Sequence, residues 1–171
     1  SRLMDMRREL IQEKAKNDYF EALARVQKSC PQVEKTKEVK GSDGKVRYSY
    51  ASLDEIVKAV KKTLEENGFS YSFSSQNTDK EILVTCTAHH IGGHSESSQF
   101  RAPIDSSAYM SAVQKVGASR TYAKRYCFCD VFGILTADED TDAVEEEKQP
   151  QKSMPQTPTP KPKPVKEAEY N

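Results

Sequence analysis

Apolar side chains recur along this chain in two periods, one of three to four residues and one of two residues. From Leu3 to Ser29 they recur every three or four residues between charged side chains, and Pro31 follows. This pattern predicts a long amphipathic helix that packs on the core of the protein. Because the helix is terminal, packing on a neighbouring subunit stays open as the alternative.

The segment after Pro31 alternates polar and apolar residues around a turn. Val33 to Lys40 and Lys45 to Tyr50 flank the sequence GSDG, in which Asp-Gly is a strong turn signal. An exposed, basic β-hairpin is therefore predicted. Its cations, Arg47 among them, suit contact with DNA and equally suit the protection of a strand edge by charge.

The middle of the chain predicts a capped helix followed by three strands. Ser52 and Glu55 have the spacing of a capping box, and Asn67-Gly68 is typical of a helix end. The three alternating segments that follow have connections too short for crossovers, which predicts an antiparallel meander. The first segment begins at Phe69, the second runs from Ile82 to about Ile91, and the third runs from His94 to Phe100. Arg101 to Ser107 is then predicted as a loop.

The fold predicted from these elements is α+β, with an antiparallel meander and a hairpin packed against helices. A last helix is predicted from near Ser106 or Ser107 to about Val131, and Gly133 ends it. Residues 1–137 form one domain in this interpretation, and residues 138–147 form an acidic linker. The Pro- and Lys-rich residues 148–171 are predicted to be disordered, since they cannot bury enough apolar surface.

Charge is unevenly distributed although the 171 residues have a net charge of zero. Residues 1–137 carry 21 Lys and Arg against 17 Asp and Glu, and residues 138–147 carry seven acids and no base. Such asymmetry is typical of a nucleic-acid-binding body with an interaction tail, although a solvated surface with a charged linker explains it equally well. If the linker screens a basic groove, its deletion should tighten non-specific DNA binding.

Cysteine usage and hydropathy indicate a reducing compartment. The four cysteines have no disulfide-framework spacing, no signal peptide precedes them, and the longest apolar run is too short to cross a bilayer. A cytoplasmic location is therefore expected.

The last predicted helix interleaves cations with aromatic rings, as binding to a flexible polyanion with stackable bases requires. It contains almost no carboxylate, histidine or nucleophile of the kind that catalysis would need. At about 100° per residue its cations fall on three faces, so no single basic stripe emerges. Gly117 lies inside this helix, which favours the close approach of another backbone. The cations are Lys115, Arg120, Lys124 and Arg125, with Arg101 just upstream, and the aromatics are Tyr122, Tyr126, Phe128 and Phe132.

Three sequence marks between Leu3 and Asp142 resemble the ERF (essential recombination function) superfamily of phage single-strand annealing proteins. They are YSYASLDEIVKAVKKTLEENGFSY, the more specific QKVGASRTYAKRYCFCDVFGI, and ADEDTD directly after it. Cys127 and Cys129 depart from the small or aliphatic residues that are more usual in the second mark. Both can pack as small apolar groups.

The resemblance implies a β-β-β-α core, ring or filament oligomers, and annealing of complementary DNA strands without ATP or any other cofactor. It makes Arg120, Lys124 and Arg125 the first candidates for phosphate contacts, with Lys115 and Arg101 next. Changing each of the first three to Ala should abolish binding and leave the fold intact. Tyr122 and Tyr126 either stack on bases or pack in the core. The implied partners are single-stranded DNA, the annealed duplex and further copies of the chain; the tail would dock a host single-strand-binding protein or a phage exonuclease.

Other functions remain as alternatives. A zinc site would draw on Cys86, the histidines, Cys127 and Cys129, but the last two lack the two-residue spacer of zinc knuckles. A metal-dependent nuclease would use the acids from Asp138 to Asp142, where Ala143 replaces the glycine of a calcium loop. A protein that binds single-stranded DNA without annealing it is the alternative that the sequence separates least well.

Overall fold

The computed structural model describes residues 1–104 and 111–135, which form the α+β fold predicted from the sequence. There are two antiparallel sheets: a three-stranded meander, which packs with the helices around one core, and a hairpin, whose strand residues are not among those of that core. In chain order the elements are α1 (Arg2–Ser29), β1 (Lys37–Lys40), β2 (Val46–Tyr50), α2 (Leu53–Glu66), β3 (Phe69–Asn77), β4 (Glu81–His90), β5 (Ser95–Pro103) and α3 (Ala112–Phe132).

The second half of α1 packs on the core and the first half does not. Ala15, Tyr19, Ala22 and Val26 recur every three or four residues and are all buried. The periodic apolar residues nearer the N-terminus, such as Leu10, stay exposed to solvent. The core-packing interpretation is therefore confirmed for the second half of the helix.

The meander has the strand order β3-β4-β5, with β4 in the centre. Ile82, Val84, Cys86 and Ala88 alternate along β4 and are buried beneath the helices. Burying each valine or isoleucine contributes roughly 1.5–3 kcal/mol, which fixes the register because a one-residue slip would expose them all.

Helix α3 crosses this sheet and supplies the largest part of its cover. Cys127 and Phe128 are fully buried, and the Cys127 Sγ donates to the carbonyl oxygen of Val84 at 3.1 Å. Gly133 ends the helix with a φ of 63°, a left-handed conformation that glycine adopts without strain. The predicted packing of both late cysteines as small apolar groups is confirmed, since Cys129 is buried as well.

Three predicted boundaries are wrong. Strand β1 begins at Lys37 and not at Val33. Helix α3 begins at Ala112, because Ser111 has extended backbone angles and caps the helix by accepting from the backbone N–H of Gln114. The predicted start at Ser106 or Ser107 lies outside the described residues. Strand β5 continues to Pro103, so Arg101 lies in a strand and not in the predicted loop. The predicted acidic linker and tail also lie outside the described residues.

The predicted capping box at the start of α2 is present and is joined to the hairpin. The Ser52 hydroxyl accepts from the backbone N–H of Glu55, and the Glu55 carboxylate accepts from the backbone N–H of Ser52 at 2.7 Å. The same carboxylate accepts a hydrogen bond from the Thr36 hydroxyl. The Ser52 hydroxyl also donates to this carboxylate, at 2.9 Å, and these three donors lower the pKa of Glu55 from 4.5 to about 2.

This lowered pKa predicts a pH-dependent part of the stability. Because the folded pKa lies below the ordinary value, the contribution of Glu55 is complete above about pH 4.5 and disappears as the pH falls towards 2. Between pH 5 and pH 2, wild type should lose more unfolding free energy than Glu55→Gln. Urea titrations at each pH measure this difference, and equal losses would contradict the role given to Glu55.

Candidate nucleic-acid interface

A cleft of about 470 Å³ lies between the β1–β2 hairpin, the start of α2 and the part of α3 from Gly117 to Arg125. Its walls are mostly aromatic and aliphatic, and it opens to solvent. The residues that line it are Val39, Tyr48, Tyr50, Ser52, Leu53, Gly117, Ala118, Thr121, Tyr122 and Arg125. No carboxylate is among these lining residues, and the nearest acid described above, Glu55, accepts from the backbone N–H of the lining residue Ser52 at 2.7 Å.

The hairpin forms the outer wall of this cleft. Tyr48 and Tyr50 alternate with Ser49, so both rings fall on the same face of the hairpin, where Val39 pairs with Tyr48. Tyr48 is 44% exposed. Val39 pairs with Tyr48 and Lys40 pairs with Val46, so Arg47 has no partner in β1 and is the extra residue of a β-bulge. The alternation therefore aims the tyrosines at α3.

Gly117 lies on the α3 side of the cleft. A Cβ at this position would have no neighbour within 4 Å apart from its own turn of helix. The close backbone approach that the sequence predicts is therefore absent within the described part of the chain. Instead, the missing side chain leaves open space between α3 and the hairpin.

Arg125 joins α3 to the hairpin through a cage of rings. It is only 9% exposed, and its guanidinium carbon lies 4.6 Å from the ring centroid of Tyr50 and 5.1 Å from that of Tyr126. Its Nη1 donates to the carbonyl oxygen of Ala51 at 3.3 Å. A desolvated cation over aromatic rings contributes about 2 kcal/mol or more. Arg125 thus fixes the position of the hairpin and places a positive charge at the cleft wall.

Tyr122 and Tyr126, for which the sequence leaves base stacking and core packing open, differ in their exposure. Tyr126 stacks on Phe100 of β5, with centroids 4.9 Å apart and an angle of 19° between the rings. Tyr122 leans on Tyr126 at 4.7 Å but stays 47% exposed at the cleft. Tyr126 therefore packs, while Tyr122 keeps a free surface on which a base could stack.

Two further predicted cations lie away from the cleft lining. The ammonium of Lys124 lies 5.2 Å from the ring centroid of Phe73 on β3. Arg120 is partly buried, and within the described residues its Nε is enclosed without a hydrogen-bond partner. Both side chains therefore make contacts inside the subunit, and their assignment to phosphates stays a prediction.

The remaining predicted cations are spread over the surface. Arg101 pairs with Glu81 across the β4–β5 ladder. The Arg47 guanidinium lies beside the hairpin turn, where a Cβ on Gly41 would be 2.9 Å from its Nε. Lys115 lies in the first turn of α3 and is partly buried. The structure thus brings Arg125, Tyr122 and Tyr126 together, and it separates them from Arg101.

Sequence reasoning missed the hairpin tyrosines as site residues. The alternation of Tyr48 and Tyr50 was visible in the sequence and predicted the strand. It did not indicate that this face of the hairpin would lie against α3, because that contact joins segments more than 70 residues apart.

The described residues offer little to a metal ion. Among residues 1–104 and 111–135, no three His, Cys, Asp or Glu side chains are placed to hold one. Burial raises the pKa of Cys86 to about 12 and also raises that of Cys127. Since zinc binds the thiolate, these cysteines are poorly suited to the zinc site considered above. Within the same two ranges, no helix is both long and apolar enough to cross a membrane.

Comparison with protein-family models identifies the family of this chain. The family model of the ERF superfamily matches residues 19–169. The match begins within α1, later than the resemblance noted in the sequence, and it extends past the acidic segment. No curated protein matches the chain.

Proposed function

Because the chain belongs to the ERF superfamily, we propose that it binds single-stranded DNA in the cleft between the hairpin and α3 and anneals complementary strands without ATP. Membership of this family supports a role in phage single-strand annealing and recombination in general. The site of binding, the absence of a cofactor and a cytoplasmic place of action in the bacterial host are the finer parts of the proposal.

The observation that carries this proposal is the composition of the cleft. It combines the exposed faces of Tyr48 and Tyr122 with the buried charge of Arg125, and no acid lines it. Stacking of a base on an aromatic side chain contributes about 1–3 kcal/mol without selecting a sequence. Annealing requires such tolerance, because the base edges must stay free to test pairing with a second strand.

Phosphates would be held by cations around the cleft. The exposed side chains of Lys40, Lys45 and Arg47 make the tip of the hairpin basic. Neutralising phosphates releases counterions, so binding should weaken steeply as salt rises. The free energy of base pairing drives annealing, and the protein need not act as an enzyme. Assembly as a ring or filament would align the clefts of successive copies along one strand.

An annealing assay tests the proposed function. Complementary labelled oligonucleotides are mixed with the purified full chain in the absence of ATP and metal. Pairing faster than the spontaneous rate supports annealing. Slower pairing would show that the protein sequesters single strands, and no binding at low salt would overturn the proposal.

Removal of either exposed ring should weaken DNA binding, and loss of the Tyr122 ring should also lower stability because it contacts the rings of Tyr126 and Phe100. Tyr48→Ala and Tyr122→Ala are each expected to raise the Kd for single-stranded oligonucleotides about tenfold, since each removes one stacking surface. Ile91→Ala, at a turn residue that is 87% exposed, is the matched apolar control. Fluorescence anisotropy measures the Kd, and wild-type affinity in both tyrosine variants would exclude the cleft.

A further inference from the structure

The geometry points to a specific interface between copies of this chain: the β5 edge of one copy lies beside the β3 edge of the next, and Phe20 enters a groove between α2 and β3. This inference deepens the proposed function and rests on it for the expectation of a homo-oligomer. It commits to a head-to-tail contact with a second copy of the chain.

Both outer strands of the meander lack a partner in the described part of the chain. Strand β3 has nine residues, FSYSFSSQN, without a charge or a proline, and its register with β4 is unbroken. Proteins usually protect an exposed edge by charge, proline or a bulge. The β3 edge has none of these three, so it is suited to pairing with another strand.

The direction of the strands defines how two copies can meet. Both β3 and β5 run antiparallel to β4, so they run in the same direction as each other. If a second copy is shifted sideways, perpendicular to the strands, β5 of one copy lies beside β3 of the other, and the two strands run parallel. The starts of the two strands lie at the same end of the sheet, because Phe69 pairs with His90 and Ser95 pairs with His89.

Beside the start of β5, an apolar side chain projects from α1. Phe20 is 45% exposed, and it lines a shallow depression together with Leu23 and Val131. The carboxylates of Glu96 and Asp130 line the same depression. Because His94 Nε2 lies 2.7 Å from the Glu96 carboxylate, this edge of the sheet offers one large apolar side chain beside two acids, one of which is already paired.

Beside the start of β3, the opposite edge offers a matching groove. It has a volume of about 390 Å³ and is lined by apolar and aromatic side chains together with Lys61 and Glu65. The Tyr19 ring contacts Phe69 at 5.2 Å, so the second half of α1 and the groove lie over the same face of the sheet. The apolar and aromatic residues of the groove are Val57, Leu64, Phe69 and Tyr71.

Displacement across the strands brings these two surfaces together. Phe20 of one copy would reach the groove of the next. Lys61, which pairs with Glu65 at 3.8 Å within its own copy, would then lie beside the carboxylates of Glu96 and Asp130 and could exchange one acidic partner for another. A two-fold pairing of β5 with β5 would instead bring those carboxylates together and leave β3 unpaired. The head-to-tail contact satisfies both edges, and its repetition produces a ring or a filament.

Two variants, each blocking one edge, test this interface. Phe20→Glu places a charge on the β5 side. Ser75→Pro removes an N–H on the β3 side. The Ile91 N–H donates to the Gly68 carbonyl oxygen, and hydrogen-bonded and non-hydrogen-bonded pairs alternate along an antiparallel ladder. Ser75, an odd number of residues after Gly68, therefore points its N–H away from β4 and towards the free edge. Light scattering on each full-length variant without DNA should show a monomer, whereas wild type forms larger assemblies.

Mixing the two variants gives the sharper result. Each retains one intact edge, so an equimolar mixture should form a dimer and nothing larger. Leu10→Glu, on the exposed half of α1, is the matched control and should assemble like wild type. The interface would be overturned if the mixture contained only monomers, or if either single variant formed assemblies like those of wild type. Thermal melts check that each variant is folded.

The annealing assay separates this inference from the proposed function. Wild type that anneals DNA while Phe20→Glu assembles normally would refute the interface alone. Wild type that assembles through these edges without binding DNA would refute the proposed function alone.

Discussion

Replacement of Arg125 by methionine is expected to lower the free energy of unfolding by about 2–3 kcal/mol and to weaken single-stranded DNA binding more than tenfold. The guanidinium is buried, donates to Ala51 O and lies over the rings of Tyr50 and Tyr126. Methionine restores the apolar contact but neither the hydrogen bond nor the charge. The cleft should lose its shape and its one buried cation together.

Two comparisons make this prediction specific. Arg101→Met removes an exposed arginine whose ion pair with Glu81 should contribute less than about 1 kcal/mol. Arg125→Lys keeps the charge without the planar fork, so its stability should fall between those of wild type and Arg125→Met. Urea unfolding measures all three variants. Equal losses for Arg125→Met and Arg101→Met would show that the cage does not stabilise the fold.

The burial of Arg125 changes one expectation from the sequence. Loss of binding with an intact fold was expected for each of Arg120, Lys124 and Arg125. For Arg125 the structure gives a reason to expect a loss of stability as well. Helical geometry shows that these cations fall on different faces, but tertiary contacts decide which of them stays exposed.

Local signals explain why the fold could be predicted. The alternation of Ile82, Val84 and Cys86 indicates a buried strand face, and Ser52 with Glu55 marks the start of a helix. Such signals act within a few residues. The start of α3 was predicted too early because Ser106, Ser107 and Ser111 are all possible N-caps, and the apolar period continues through them.

The cleft could not be predicted because it depends on long-range packing. Its walls come from the hairpin and α3, and the hydrogen bond from Arg125 to Ala51 spans 74 residues of sequence. The individual signals, alternating tyrosines in β2 and an interior glycine in α3, were present. What the sequence did not contain was the placement of the hairpin against that part of the helix, which Arg125 fixes through its cage of rings.

Substitution of Gly117 should separate stability from DNA binding. Glycine inside a helix costs about 1 kcal/mol relative to alanine, and a Cβ here would meet open space. Gly117→Ala is therefore expected to raise the free energy of unfolding by about 0.5–1 kcal/mol and to leave DNA binding close to that of wild type. Gly117→Leu should be comparably stable, because leucine is also a good helix former.

The leucine variant should nevertheless bind single-stranded DNA at least tenfold more weakly, because its side chain would project into the space between α3 and Tyr48. A gain in stability with a loss of binding cannot come from unfolding, so the pair of variants identifies a blocked site. Light scattering tests whether Gly117 instead receives a neighbouring subunit, in which case Gly117→Ala would already change the assembly. Wild-type affinity in Gly117→Leu would show that DNA does not occupy the cleft.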